Sequence, residues 1–514
     1  MNYKIILAFL LTSFGLNAQI TEPELDALVE KTLTTFNVPG IAVAIVKDGK
    51  VVISKGYGVA NNKTKKKVDG NTLFGIASNS KAFTAAALAM LVDEKKINWD
   101  DKVINYLPEF KMYNDYVTKE FTIRDLLTHR SGLGLGAGDL MIWPDGHDFT
   151  PKDIVRNIQY LKPISGFRAQ YDYDNLLYVI AGEVVAKVSG KSWCDFVEER
   201  ILKPLQMNNS ATNWNRLKDT TNTIVPHVPT DGKLEIIPRY KNQIFDAAAG
   251  IYSSTNDLSK WVIAQLNKGK YGENQSLFSV KQHKEMWTPQ TILPNREGKP
   301  YSCNFSAYGL GWRLNDLNGH LQVSHTGGLD GIVTQTIMIP DIQLGIIVLT
   351  NQQNGAAFNT ISNTIKDSYL GLPYFDHLEN LSKNRKAQEE NADKVTDEVW
   401  ETVAKNAPLN YIKNNASKLV GTYKDNWFGE VTITEKKGKL YFASTRSKRL
   451  AGEIFYYKDN SLAVKWDIRS FNADAFINFD VNKNGTINHF KMVAISPMTD
   501  FSYDFHDLDF ERVK

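Results

Sequence analysis

Cysteine is almost absent: Cys194 and Cys303 are the only two in 514 residues. Two thiols cannot build the bridge framework of a small secreted domain, and nothing in the sequence says that these two meet. They cannot supply a cysteine-rich zinc site either, and the nine histidines include no His-Glu-x-x-His, so neither a metal nor a cofactor is implied. An excess of charge of one sign is also lacking, with 60 Lys and Arg against 57 Asp and Glu for a net charge of +3. That balance gives no electrostatic case for binding nucleic acid. The run Lys63-Thr64-Lys65-Lys66-Lys67 lies beside Asp69-Gly70 and reads as a solvated turn. Long apolar runs are missing as well. Residues 5–16 are too few for a comfortable bilayer span, and no second run reaches that length, so no stable membrane span is expected.

What is present begins with that N-terminal stretch. Met1-Asn2-Tyr3-Lys4 is a short basic start, residues 5–16 are apolar, and Ala18 precedes the polar Gln19 and Thr21-Glu22-Pro23-Glu24. This is the pattern of a secretory signal peptide over 1–18, which predicts a periplasmic or secreted protein, with an uncleaved membrane anchor as the rival reading. Beyond it, 42% hydrophobic and 23% charged residues describe an ordinary globular chain, long enough for more than one domain.

Residues 25–36 predict an amphipathic helix. Two apolar runs, residues 41–46 and 51–54, flank Lys47-Asp48-Gly49-Lys50, whose Asp-Gly pair signals a hairpin. Helical patterns follow, including residues 176–188, and strand patterns return at 321–324, 333–338 and 344–349. Strands at both ends with helices between predict an α+β domain, an antiparallel sheet flanked by helices, over 19–375. Residues 376–410 are strongly charged and read as a solvated linker or surface helix. Over 411–514, short strands at 431–434, 440–442 and 475–479, with turns at Lys437-Gly438 and Asn484-Gly485, predict a small all-β sandwich or barrel. Two other patterns carry no ligand. A calcium-loop-like start at Asp480 has Lys491 in the twelfth position, where a bidentate Glu is needed. The Gly-rich stretch 132–138 lacks dinucleotide spacing and a preceding strand, and reads as a flexible loop.

Chemistry is concentrated at Ser78-Asn79-Ser80-Lys81, which opens the Ala-rich stretch 82–91. Residues three apart share a helix face, so Lys81 can sit beside the Ser78 hydroxyl. A serine needs such a base to become a nucleophile, and a helix N-terminus favours developing negative charge. The same serine also suits a helix cap. Tyr173-Asp174-Asn175 lies 95 residues further on (173 − 78) and just before a helical run. A phenol beside an ammonium can shuttle a proton, and the Asn175 amide can orient a carbonyl and Lys81. Read alone, the triplet is a turn into a helix. His325-Thr326-Gly327-Gly328 follows a strand pattern; glycine there lets a substrate approach the edge, and an N–H can face an oxyanion. His129 reads as a structural hydrogen-bonding residue.

In this order, Ser-x-x-Lys, Tyr-x-Asn and His-Thr-Gly resemble the motif set of the serine penicillin-recognising enzymes. More narrowly, the chain resembles the class C β-lactamase-like family, which also holds DD-peptidases, D-aminopeptidases and esterases. Residues 121–133, 178–182 and 249–254 look like further signatures of that family. The likeness covers about residues 25–370, and residues 419–512 are similar to the small β-domain behind the hydrolase domain in some members. The resemblance implies that Ser78 is acylated, Lys81 activates it, Tyr173 shuttles protons, and Asn175, His325, Thr326, Gly327 and Gly328 bind substrate. The backbone N–H groups of Ser78 and Gly328 would form the oxyanion hole. Whether Lys81 or Tyr173 takes the first proton stays open. One departure is His325, where β-lactamases usually carry a lysine suited to a β-lactam carboxylate. Histidine is mostly neutral near pH 7, which speaks against efficient β-lactam hydrolysis. The resemblance implies that His-Thr-Gly is commoner among esterase- and peptidase-like members, so an esterase or D-amino-acid peptidase acting on a small ester, amide or peptide is expected. A β-lactamase or DD-carboxypeptidase is the alternative, and a non-catalytic sensor of the same fold is another.

Overall fold

The computed structural model describes residues 19–295, 298, 300–481 and 487–513. The signal-peptide expectation and the Asn484-Gly485 turn lie outside them. Thr21 and Glu24 form a reciprocal capping box that starts helix α1 at Glu22–Thr35, three residues before the apolar pattern begins. Strands β1 (Gly40–Lys47) and β2 (Lys50–Gly58) pair around a turn in which Asp48 and Gly49 both have positive φ, 51° and 74°. That is the primed turn whose twist suits a two-residue hairpin.

The distant strands complete the same sheet. They are β3 (Thr291–Leu293), β4 (Ser306–Tyr308), β5 (Arg313–Leu317), β6 (His320–Leu329), β7 (Ile332–Ile339) and β8 (Leu344–Thr350). The order is β2-β1-β8-β7-β6-β5-β4-β3, antiparallel throughout. β1 is buried on both faces, and its alternation divides the core. Ala42, Ala44 and Val46 join the large cluster around helix α2 (Ser80–Asp93), while Ile41, Val43 and Ile45 pack beneath α1 and a later helix, Gly355–Leu370. α2 is buried all round from Ser80 to Leu91, as its near-absence of polar residues requires. Two more helices on this side, Leu176–Ser189 and Thr255–Leu266, complete the α+β arrangement expected from the strand and helix pattern.

The charged stretch forms one 30-residue helix, His377–Asn406, the surface helix rather than an open linker. Val399 and Val403 bury against Ala463 and Ile495, and Trp400 stands edge-on to Phe455 at 5.6 Å. The C-terminal strands run from Gly421–Asp425 to Asp509–Arg512, pair in sequence order, and close through Tyr423↔Arg512 and Lys424↔Glu511. The all-β part is therefore a closed eight-stranded barrel. Cys194 and Cys303 are free thiols. Among the described residues no helix is long and apolar enough to cross a membrane.

Candidate active site

Ser78 occupies a 3₁₀ turn, Ala77–Asn79, that feeds α2. It does not cap the helix. The N-cap position is Asn79, which makes no side-chain cap bond, and the Ser78 hydroxyl instead accepts a hydrogen bond from Lys81 Nζ at 3.0 Å. Ala77 is held at φ 51°, the left-handed region that side chains with a Cβ resist. The turn is braced by β7, where Thr334 Oγ1 donates to Ile76 O at 2.9 Å and accepts from Asn79 Nδ2 at 2.9 Å. β6 approaches so closely that a Cβ on Gly327 would lie 2.2 Å from Ile76 O; only glycine fits. Gly328, the next residue, faces open space and lines the cavity.

Lys81 is completely buried. Its Nζ donates to Asn175 Oδ1 at 2.7 Å and Ala248 O at 3.1 Å as well as to Ser78. Burial lowers its pKa to about 7, with Asp139 and Asp174 pulling the other way. Desolvation disfavours the ammonium, so a neutral amine is accessible near neutral pH. The nitrogen also lies 4.9 Å from the centre of the Tyr173 ring. Tyr173 is buried, which pushes its phenol well above the ordinary tyrosine range, and the neighbouring Ser78 hydroxyl only partly opposes this. Burial thus favours the protonated phenol over the phenolate.

The Tyr-Asp-Asn triplet serves as a turn into a helix and as part of the site at once. Asp174 Oδ1 accepts from the N–H groups of Leu176 and Leu177 at 3.0 and 3.4 Å, satisfying the helix start, while Tyr173 and Asn175 line the cavity. Asn175 Nδ2 donates to Asp139 Oδ2 at 2.7 Å, so its carbonyl oxygen is the end that meets Lys81. His129 Nδ1 accepts from Asp174 N–H at 3.0 Å and its ring packs 4.3 Å from Tyr173; burial drives its pKa well below the ordinary value.

His325 is neutral. Burial, then Lys81 and Arg313, hold it down to about 3. Its two nitrogens meet the Tyr308 hydroxyl at 2.9 Å and the Thr326 carbonyl at 2.6 Å. Its side chain therefore offers substrate no cation. Arg313 on β5 does, from the strand paired to β6 through Arg313↔Ser324; it lines the same cavity and donates to the Tyr171 hydroxyl at 2.9 Å.

The cavity measures about 1010 Å³. Ser78, Tyr173, Asn175, His325, Thr326 and Gly328 open onto it, with Lys81 beneath and Gly327 turned onto the Ser78 turn. Motif reading missed Arg313, Tyr308 and Asp139. Nothing marks the first two in sequence; Asp139 directly follows the Gly-rich stretch. That stretch is no loose loop: Gly136 N–H donates to Tyr173 O at 2.7 Å and Gly138 N–H to Asp504 Oδ2 at 2.7 Å, so its glycines press against other chain segments.

Residues 413–512 match a domain of unknown function, DUF3471. The chain is 30% identical over 364 residues to unguisins hydrolase ungD' of Aspergillus campestris, covering 68% of this chain and 63% of that protein. It is 30% identical over 344 residues to protein flp of Staphylococcus aureus, covering 64% and 63%. The chain thus spans somewhat under two thirds of these curated relatives. An octameric penicillin-binding protein homologue from Pyrococcus abyssi shares the fold with a TM-score of 0.61, 21% identity, and coverage of 93% of this chain and 99% of that one. A mutant class C beta-lactamase does so with a TM-score of 0.55, 20% identity, and coverage of 68% and 96%. Residues 25–369 match the Beta-lactamase family itself, and on that match the chain belongs to the Beta-lactamase family.

Proposed function

We propose that the protein is an exported serine hydrolase that cleaves a small ester, amide or peptide through an acyl-enzyme on Ser78. The observation that carries this reading is Lys81: a buried amine with a pKa near 7, 3.0 Å from the hydroxyl it would deprotonate. A base poised near the operating pH is what nucleophilic serine requires. Neutral Lys81 takes the Ser78 proton as Oγ bonds to the substrate carbonyl carbon. The N–H groups of Ser78 and Gly328 face the oxyanion. Collapse breaks the bond to the leaving group, which takes the Tyr173 proton, and the Lys81 ammonium returns a proton to Tyr173. Water then releases the acyl group by the same exchange, restoring Ser78.

The neutral His325 supports an ester or peptide substrate over one selected by a lysine at that position, while Arg313 offers a cation to an anionic group one strand away. The relative named as a hydrolase agrees with the reaction class. Treatment with a fluorophosphonate probe, read by peptide mass spectrometry, should place a single adduct on Ser78. Ser78→Ala should lose the adduct and lower turnover by up to roughly a million-fold. An adduct elsewhere, or activity retained in Ser78→Ala, refutes the assignment. Comparing p-nitrophenyl esters, D-amino-acid amides and nitrocefin then separates the esterase or peptidase reading from a β-lactamase.

A further inference from the structure

The connection that leads into the last barrel strand, residues 495–508, leaves the barrel and enters the hydrolase site. Asp500, Phe501 and Ser502 line the cavity that holds Ser78. Phe501 stands edge-on to the Tyr173 ring, with centroids 5.8 Å apart, and its backbone lies so near Gly136 that a Cβ there would be 2.7 Å from Phe501 O. Asp504, fully buried, accepts from the N–H groups of Gly138 at 2.7 Å and Leu140 at 3.0 Å. It therefore grips the backbone on both sides of Asp139. Ser502 grips the side chain: its Oγ donates to Asp139 Oδ2 at 2.9 Å.

That oxygen is the one that receives Asn175 Nδ2. A continuous path of hydrogen bonds thus runs from the barrel to the amine: Ser502 to Asp139, Asn175 to Asp139, and Lys81 to Asn175 at 2.9, 2.7 and 2.7 Å. We propose that Ser502 is a positioning residue for the hydrolase centre: through Asp139 it fixes the Asn175 amide with its oxygen toward Lys81. An amide can turn end for end, exchanging an acceptor for a donor. Asp139 Oδ2, held as an acceptor, keeps the Asn175 N–H on its own side and so turns the amide oxygen toward the lysine. Asp139 sits in a fully buried place that favours its neutral form, and the hydroxyl of Ser502 is one of two side-chain donors that oppose this. Without it, the carboxyl group takes up a proton more readily, and a protonated carboxyl can donate to the Asn175 oxygen as well as accept from its N–H, so the amide is no longer held in one sense. The barrel thereby acquires a role in the reaction, as a component of the site rather than a separate module.

This inference rests on Lys81 acting as the base. In Ser502→Ala, kcat should fall roughly five- to tenfold from the lost hydrogen bond, with KM within about twofold. The acidic limb of the pH–kcat profile should move to lower pH, because Lys81 loses both its acceptor and part of the Asp139 charge that favours the ammonium. Ser502→Thr, which keeps the hydroxyl, should restore the parent profile. Parent kcat and an unmoved limb in Ser502→Ala overturn the proposal, and so does a fall in kcat with an unmoved limb, which marks steric damage alone. Lys81→Met measured alongside keeps the two claims apart: a Lys81→Met enzyme with parent turnover removes the base assignment itself, whereas a silent Ser502→Ala removes only the role of the barrel.

Discussion

Around Ser78 the sheet domain buries a lysine, two carboxyl groups and two imidazoles (Lys81, Asp139, Asp174, His129 and His325), whereas the barrel fills its interior with Val431, Ile433, Leu440, Phe442, Trp466, Ile477 and Phe490. The barrel's own buried carboxyl groups are spent on structure. Asp425 accepts from the N–H groups of Trp427 and Phe428 at 2.8 Å each, and Asp474 pairs with Arg469 at 2.6 Å. In the sheet domain Asp139 Oδ1, Asp174 Oδ2 and His129 Nε2 are buried with no partner. Buried polar groups left unsatisfied are costly, and these three belong to residues that bond to or pack around Tyr173 and Asn175. The barrel's unpartnered groups include Tyr503 and Asp507, in the very connection that reaches the site.

The comparison breaks first at Lys81. Lys81→Met should lower kcat roughly 10²- to 10⁴-fold, the span of a lost general base; turnover at the parent level would remove Lys81 from the reaction. The same pair of proteins tests the cost of burying the amine. In the fold Lys81 titrates near 7, against an ordinary 10.5. Between those values the unfolded chain binds the proton and the fold does not, so this group adds stability as pH rises through that window. Denaturant titrations should show the parent gaining stability over Lys81→Met from pH 7 to 10, and parallel curves would contradict the buried amine.

Tyr173→Phe removes a proton and almost no volume. Turnover should fall roughly a hundredfold, with an unfolding midpoint within a few degrees of the parent; unchanged kinetics would deny the shuttle. Phe490→Ala sharpens the contrast from the other side. A large side chain removed from the barrel core should cost about 3–5 kcal/mol of stability, while kcat per folded molecule stays at the parent value below the unfolding transition. A loss of kcat in the fully folded variant would mean that the barrel interior takes part in the chemistry.

Much of this arrangement was legible locally. The Asp48-Gly49 hairpin, the apolar α2 and the alternating strands of the barrel follow from neighbouring residues. Lys81 lies three residues from Ser78, so their meeting follows locally from the 3₁₀ turn and the first turn of α2. Other parts depend on distant chain. Thr21 and Glu24 set the start of α1 outside its apolar pattern. β1 pairs with β8 some 300 residues later, which no local period predicts. Asp139, Arg313 and Ser502 reach the site only because the sheet, the glycine stretch and the barrel connection converge there. The charged segment 376–410 left linker and helix open, and the apolar positions Val399 and Val403, a helical turn apart, are what seat it on the barrel.

The central claim is that a buried amine, neutral near pH 7, activates Ser78. The most direct test is the rate of fluorophosphonate labelling of Ser78 in the parent enzyme as a function of pH. The account predicts a rise with a midpoint at about 7 and a plateau that persists to alkaline pH, because the Tyr173 phenol stays protonated. A midpoint near 10, where an ordinary lysine titrates, or a rate that does not change with pH, would contradict it.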